Sequence, residues 1–150
     1  MPARNIFKNS FHYWIFAGVN IAYWIYRPDS PTAKPLNPLI TYFGVLLYVV
    51  GELGNLSAHL TLRALRSNGG TERGIPQGFG FGLVTCPNYM FETMAWVGIW
   101  LVTWSWSTMV FNVLAVGQMA PWAKKREMKY RKEFGNQYKR KSYFMLPGIW

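Results

Sequence analysis

The chain has 150 residues, 51% of them hydrophobic and 18% aromatic, with 15% charged and a formal net charge of +10. The length suits one domain spanning 1–150, and the balance is aromatic-rich and charge-poor for a soluble protein. Nine of the sixteen Lys and Arg lie between Lys124 and Lys141, so the charge is a block beside apolar stretches. That pattern reads better as a cytoplasmic membrane-surface segment than as a nucleic-acid footprint.

Four apolar segments follow in chain order. The first runs from about Phe11 to Tyr26, is short for a span of roughly 20 residues, and is rich in the Tyr and Trp that favour membrane interfaces. Pro28, Pro31, Pro35 and Pro38 then form a linker that cannot be helical throughout. The second segment begins near Leu39 and turns polar halfway. A glycine-rich loop, RSNGGTERGIPQGFGFG, precedes a third segment from about Tyr89 to Trp106, which a very short turn joins to a fourth ending near Ala123. Glu92 is the sole charged residue between Gly74 and Ala123. The flanking basic residues predict an all-α, polytopic membrane bundle of about four spans, with both termini and the second-to-third loop on the cytosolic side. The loop between the first two segments, where Arg27 and Lys34 face Asp29, carries the least contrast.

Chemistry-bearing residues concentrate in the second and third segments. Glu52, Asn55, His59, Arg63 and Arg66 are spaced by three, four, four and three, which places them along one helix face as a polar stripe turned inward. Arg63 and Arg66 fit two roles, positive-inside anchors or guanidinium forks for phosphate. His59 is either an interior histidine with its hydrogen bonds met or a cavity residue. The glycine loop has no Lys-Ser/Thr of a Walker loop and no preceding strand of a dinucleotide fingerprint. In Pro87-Asn88-Tyr89-Met90-Phe91-Glu92, Pro87 suits a first helical turn, and Tyr89 and Glu92 then share a face. A tyrosine hydroxyl stays protonated until the moment of transfer, so Tyr89 could donate a proton, or it could brace two helices through Glu92. Cys86 is the single cysteine, and His12 and His59 show no ligand spacing, so neither a disulfide within the chain nor a metal site is expected. The N-terminal stretch lacks a signal-peptide cleavage pattern.

GIPQGFGFGLVTCPNYMFETMAW, followed by QMAPWAKKREMKYRKEFG, resembles the carboxy-terminal region of the steroid 5α-reductase family, and within it the fungal form of the very-long-chain trans-2-enoyl-CoA reductase branch. The resemblance covers essentially the whole chain. It implies a helical membrane protein of the endoplasmic reticulum, multi-pass with a cytosolic C-terminus, with NADPH in a cytosol-facing cavity. Asn55, Arg63, Arg66, Arg73, Asn88, Glu92 and Tyr130 match positions that line or support that cavity in the family. His59 joins the cofactor set although steroid reductases tend to have an acidic residue there. Trp122 stands where those enzymes can offer an arginine. Lys8 is expected to meet the phosphates of the cofactor or of CoA. The implied reaction reduces the 2,3 double bond of a very-long-chain 2-enoyl-CoA in fatty-acid elongation, with Tyr89 and Glu92 as the catalytic pair and other elongation-cycle enzymes and membrane lipid as partners. Alternatives are reduction of a steroid or polyprenol, a non-catalytic partner of the elongation machinery, and a methyltransferase using S-adenosylmethionine. Family enoyl reductases carry a ubiquitin-like region and further helices before the matching part, so the chain is expected to correspond to a carboxy-terminal half.

Overall fold

The computed structural model describes residues 6–7, 10–33, 37–65 and 74–149. Among them all regular structure is helical apart from one isolated parallel bridge between Val84 and Tyr143. Lys8, Arg66 and Arg73, three of the expected cofactor contacts, lie outside the described residues. Helix α1 starts as a π-helix, Phe11–Val19, and continues as an α-helix, Asn20–Tyr26. After a 3-10 turn at Pro31–Ala33 come α2 (Pro38–Ala64), α3 (Pro87–Thr103) and α4 (Trp106–Phe134), then a second 3-10 turn at Gly135–Gln137.

The boundaries follow local chemistry. Helices α2 and α3 both open on a proline, whose fixed φ suits a first helical position where no N–H is needed. Asn37 caps α2 by accepting the Leu39 N–H at 3.0 Å. Helix α3 stops at Trp104, which turns to φ 49°, and α4 resumes two residues later, so the short junction expected from the sequence is present. Helix α4 does not stop near Ala123. It runs through Pro121 and on to Phe134, because the basic block is made of strong helix formers braced by Glu127–Arg131 and Glu133–Lys129 pairs at i, i+4. Gly135, at φ 50°, ends it.

Among the described residues, α2 is the one helix long and apolar enough to cross a membrane, with a mean hydropathy of 1.5 over an 18-residue stretch. Its large side chains, including Leu46, Val49, Leu53, Leu56 and Leu60, are exposed, and its buried positions are Gly44, Gly51, Gly54 and Ala58. The inward face is therefore a stripe of small residues, as membrane helices use for close approach. The polar stripe lies one position over: Glu52, His59 and Arg63 are exposed and Asn55 is half-buried. This corrects the expectation that the polar stripe itself is the packed face.

Contacts divide the chain into two compact units, Met1–Tyr48 with Trp96–Leu114, and Val49–Ala95 with Ala115–Trp150. In the first, a Cβ at Gly98 would lie 2.6 Å from the Gly44 carbonyl oxygen and from the Tyr48 nitrogen, so only glycine permits that approach. Phe111 is buried there, with ring centroids 5.3 Å from His12, 5.8 Å from Phe16 and 4.5 Å from Trp96. In the second unit a Cβ at Gly51 would meet the Ala95 nitrogen at 2.6 Å and the Phe91 carbonyl oxygen at 2.8 Å.

Two glycine substitutions should separate close packing from helix propensity. Gly98→Ala forces backbone apart and should lower stability by about 1–3 kcal/mol, the scale of an overpacked core. Gly117, in α4, has nothing within 4 Å of a would-be Cβ, so Gly117→Ala should stabilise by roughly 0.5–1 kcal/mol. Thermal unfolding of both variants in one detergent checks the opposite signs.

Candidate functional site

The site belongs to the second unit and starts with the segment leading into α3. Gly80 has φ 82°, and a Cβ there would lie 2.6 Å from Cβ of Pro87, so this turn requires glycine on both counts. Its carbonyl accepts the N–H groups of Leu83 and Val84 at 3.0 and 3.2 Å, and Phe79 stacks on Phe91 with centroids 5.3 Å apart. The loop thereby folds back on the first turns of α3. The C-terminal segment completes the layer. Thr85 and Cys86 donate their N–H groups to the carbonyls of Tyr143 and Phe144 at 3.3 and 2.9 Å, and Met145 is fully buried.

These elements enclose a cavity of about 470 Å³. Helix α2 contributes His59, Leu62 and Arg63, and the loop contributes Phe81, Thr85 and Cys86. Asn88 and Tyr89 come from the first turn of α3, and Arg126 and Tyr130 from successive turns of α4. The Arg126 guanidinium lies 6.0 Å from the Tyr130 ring centroid. Two arginines and a histidine line the space, with no carboxylate among the described lining residues. Such a wall favours a phosphate-bearing anion, and its aromatic rings suit a flat heterocycle. The volume falls in the usual range for small-molecule sites, roughly 300–1,000 Å³.

Of the residues expected from the sequence, His59, Arg63, Asn88, Tyr89 and Tyr130 meet at this one cavity. Asn55 stands behind it, its side-chain amide donating to the Asn88 carbonyl at 2.9 Å and tying α2 to α3. Glu92 is half-buried and does not line the cavity, and Glu52 is close enough to act on it electrostatically. Trp122 is exposed and off the wall. Arg126, Thr85, Cys86, Phe81 and Leu62 escaped the sequence reading. Arg126 was legible only through its i, i+4 relation to Tyr130, and its basic neighbours mask that signal.

Directly beside Arg126, Glu127 is completely buried and faces another way. Its Oε2 accepts the hydroxyls of Thr85 at 2.6 Å and Tyr138 at 2.5 Å; its Oε1 accepts Arg131 Nε at 2.9 Å and the Lys141 N–H at 3.2 Å. Burial pushes this carboxyl up, but the hydrogen bonds from Thr85, Tyr138, Arg131 and Lys141 outweigh it and hold the group below its ordinary value of 4.5. The Tyr138 hydroxyl is shifted up by burial and by its bond to the carboxylate. Cys86 is pushed up to about 12, mainly by burial, so its thiol stays protonated in the cavity wall.

A depressed carboxyl contributes stability above its unfolded value, and that contribution is lost as pH falls through the folded value. Unfolding free energy should therefore decline on acidification below about pH 4.5. Glu127→Gln should be less stable at neutral pH and should flatten that decline. Denaturant titrations of both proteins at several pH values in detergent test this, and equal acid slopes would remove Glu127 as the cause.

The family described as 3-oxo-5-alpha-steroid 4-dehydrogenase matches residues 1–150. The chain is 42% identical over 149 residues to a Schizosaccharomyces pombe protein named as an enoyl reductase, covering 98% of this chain and 49% of that protein. It is 36% identical over 147 residues to the very-long-chain enoyl-CoA reductase of Dictyostelium discoideum, covering 98% and 48%. A steroid 5-alpha-reductase of Gossypium hirsutum is 34% identical over 107 residues, covering 71% and 42%. The chain spans about half the length, or less, of these curated relatives.

Proposed function

The chain belongs to the 3-oxo-5-alpha-steroid 4-dehydrogenase family, and from that premise we propose that it forms the nucleotide-binding part of an NADPH-dependent reductase of very-long-chain trans-2-enoyl-CoA. The observation that carries this reading is the cationic cavity, with no carboxylate among its described lining residues, that gathers His59, Arg63 and Arg126 with Asn88 and Tyr89. The arginines suit the phosphates of NADPH, and Phe81, Tyr89 and Tyr130 suit its flat rings. Arg66, Arg73 and Lys8 are proposed as further phosphate contacts.

The chemistry that NADPH supplies when bound is a hydride, accepted by the β-carbon of the enoyl thioester. The Tyr89 hydroxyl delivers the proton that the α-carbon takes up, so the double bond gains one hydride and one proton. Glu92, a same-face neighbour three residues along α3, sets the electrostatics on the far side of that tyrosine. Asn55 fixes the α3 terminus that presents Asn88 and Tyr89. The long matches to enoyl reductases favour an acyl-CoA over a steroid substrate, because the steroid 5-alpha-reductase match covers less of the chain.

The same reading places the protein in the endoplasmic reticulum membrane beside other elongation-cycle enzymes. Exposed leucines and valines along α2 are at home in lipid and a liability in water. The remaining apolar segments are proposed as further spans, with the basic C-terminal block cytosolic. Protease treatment of sealed microsomes should remove a tag placed after Trp150, and a protected tag would reverse this orientation.

Two substitutions test the chemistry in membranes matched for protein abundance, followed by NADPH oxidation with a long-chain 2-enoyl-CoA. Tyr89→Phe keeps the ring and should lower turnover by about 10²–10⁴-fold, the usual worth of a positioned proton donor. Arg63→Ala should weaken NADPH binding by roughly 1.5–3 kcal/mol, the scale of a charged hydrogen bond, and should affect NADH less. Near-native turnover in Tyr89→Phe would return that tyrosine to a bracing role. Turnover of a steroid enone with none of the enoyl-CoA would favour the steroid reading, and no NADPH oxidation with either substrate would leave the non-catalytic one.

A further inference from the structure

Glu127 carries more than the stability of one helix. Its two oxygens accept four donors, two on each, which fills the capacity of a carboxylate. It has no lone pair left for a ligand and does not line the cavity, so it touches neither cofactor nor substrate. Its partners nevertheless join three pieces of the site. Thr85 is a wall residue at the entrance to α3. Tyr138 and the Lys141 N–H belong to the C-terminal segment, and Tyr138 also packs on the wall residue Tyr130, with centroids 5.5 Å apart. Glu127 itself sits in α4 between the wall residues Arg126 and Tyr130.

We infer that Glu127 is a positioning residue: it latches the C-terminal segment against the wall Thr85–Cys86 and so fixes the placement of Arg126, Tyr130 and the α3 terminus around the cavity. The latch works with the two backbone bonds from Thr85 and Cys86 to Tyr143 and Phe144, which the same segment supplies. Opening it would loosen the wall from behind. The first consequence is exposure of Cys86, which is 5% exposed in the closed arrangement and is the single cysteine of the chain. The second is loss of a fixed position for Arg126, with weaker grip on a phosphate-bearing ligand. This second consequence rests on the cofactor reading given above, whereas the first does not.

The test uses the full chain in detergent, with Glu127→Gln and Tyr138→Phe as variants. Gln keeps the shape but turns one acceptor into a donor facing donors. Phe keeps the ring and removes one hydroxyl, so it carries the test alone if the Gln variant does not fold. Lys129→Gln, in the exposed i, i+4 pair with Glu133 outside the network, serves as a control expected to stay near wild type. Two quantities are read at unchanged helix content: the rate of Cys86 alkylation by iodoacetamide, and the dissociation constant of NADPH. Both variants should speed alkylation and weaken NADPH binding by about tenfold each, the scale of one lost hydrogen bond to a charged group. Unchanged alkylation overturns the latch. Faster alkylation with unchanged NADPH affinity shows that the latch opens without moving the cavity, and overturns its positioning role. A wild-type chain that binds no NADPH overturns the cofactor reading instead, and the latch then stands or falls on alkylation alone.

Discussion

The arrangement of the second unit depends on keeping one carboxylate ionised in a fully buried place. Removing such a charge from water costs several kcal/mol, and the protein offsets this only by aiming enough donors at it. Glu127 has four, drawn from a loop, its own helix and the C-terminal segment. Because the donors come from parts distant in sequence, satisfying the charge fixes those parts relative to one another. A hydrophobic side chain of similar size could fill the volume, but it would impose no such registration on Thr85, Tyr138 and Lys141.

A second constraint acts along α2. Gly51, Gly54 and Ala58 present so little side chain that backbone and ring atoms of α3 come close, as the Gly51–Ala95 and Gly54–Phe91 approaches show. This contact uses up the inward face. The polar residues one position over are therefore turned to the edge of the helix, where His59 and Arg63 reach the cavity and Asn55 reaches Asn88. Packing and chemistry thus share one helix with an offset of a single residue, about 100° of rotation. A bulkier packing face would push α2 away and take the arginine with it.

Much of this was legible in the sequence. The four helices follow from apolar runs punctuated by proline and glycine; spacing points to His59, Arg63 and Tyr89, and the family resemblance adds Asn88 and Tyr130. The offset between the small-residue face and the polar stripe was not, because spacing alone tells which residues share a face and not which face is packed. The run of α4 past Ala123 was hidden because the apolar signal ends there, while the basic block that continues the helix carries no apolar pattern of its own. Glu127 was hidden more thoroughly. An acid four residues before an arginine, in a basic helix, is the pattern of an exposed ion pair, and only one of its four donors lies at that spacing. Thr85 is 42 residues away in sequence and Tyr138 is 11, distances at which pattern carries no information.

The consecutive pair Arg126–Glu127 shows why the two halves of this region belong together. Successive helical residues point about 100° apart, so α4 turns a cation toward the cavity and an anion toward the C-terminal segment. The carboxylate is spent on its own donors and cannot neutralise the arginine through a direct bond. Arg126 and Arg63 therefore face the same cavity, with no carboxylate among its described lining residues, so two like charges share one space. An anionic group placed between two guanidiniums would offset their mutual repulsion and accept charged hydrogen bonds from both. What holds the helix in that rotation is the filled carboxylate behind it. The buried anion and the open cationic cavity are thus two faces of a single constraint, and loosening the first would let the second relax.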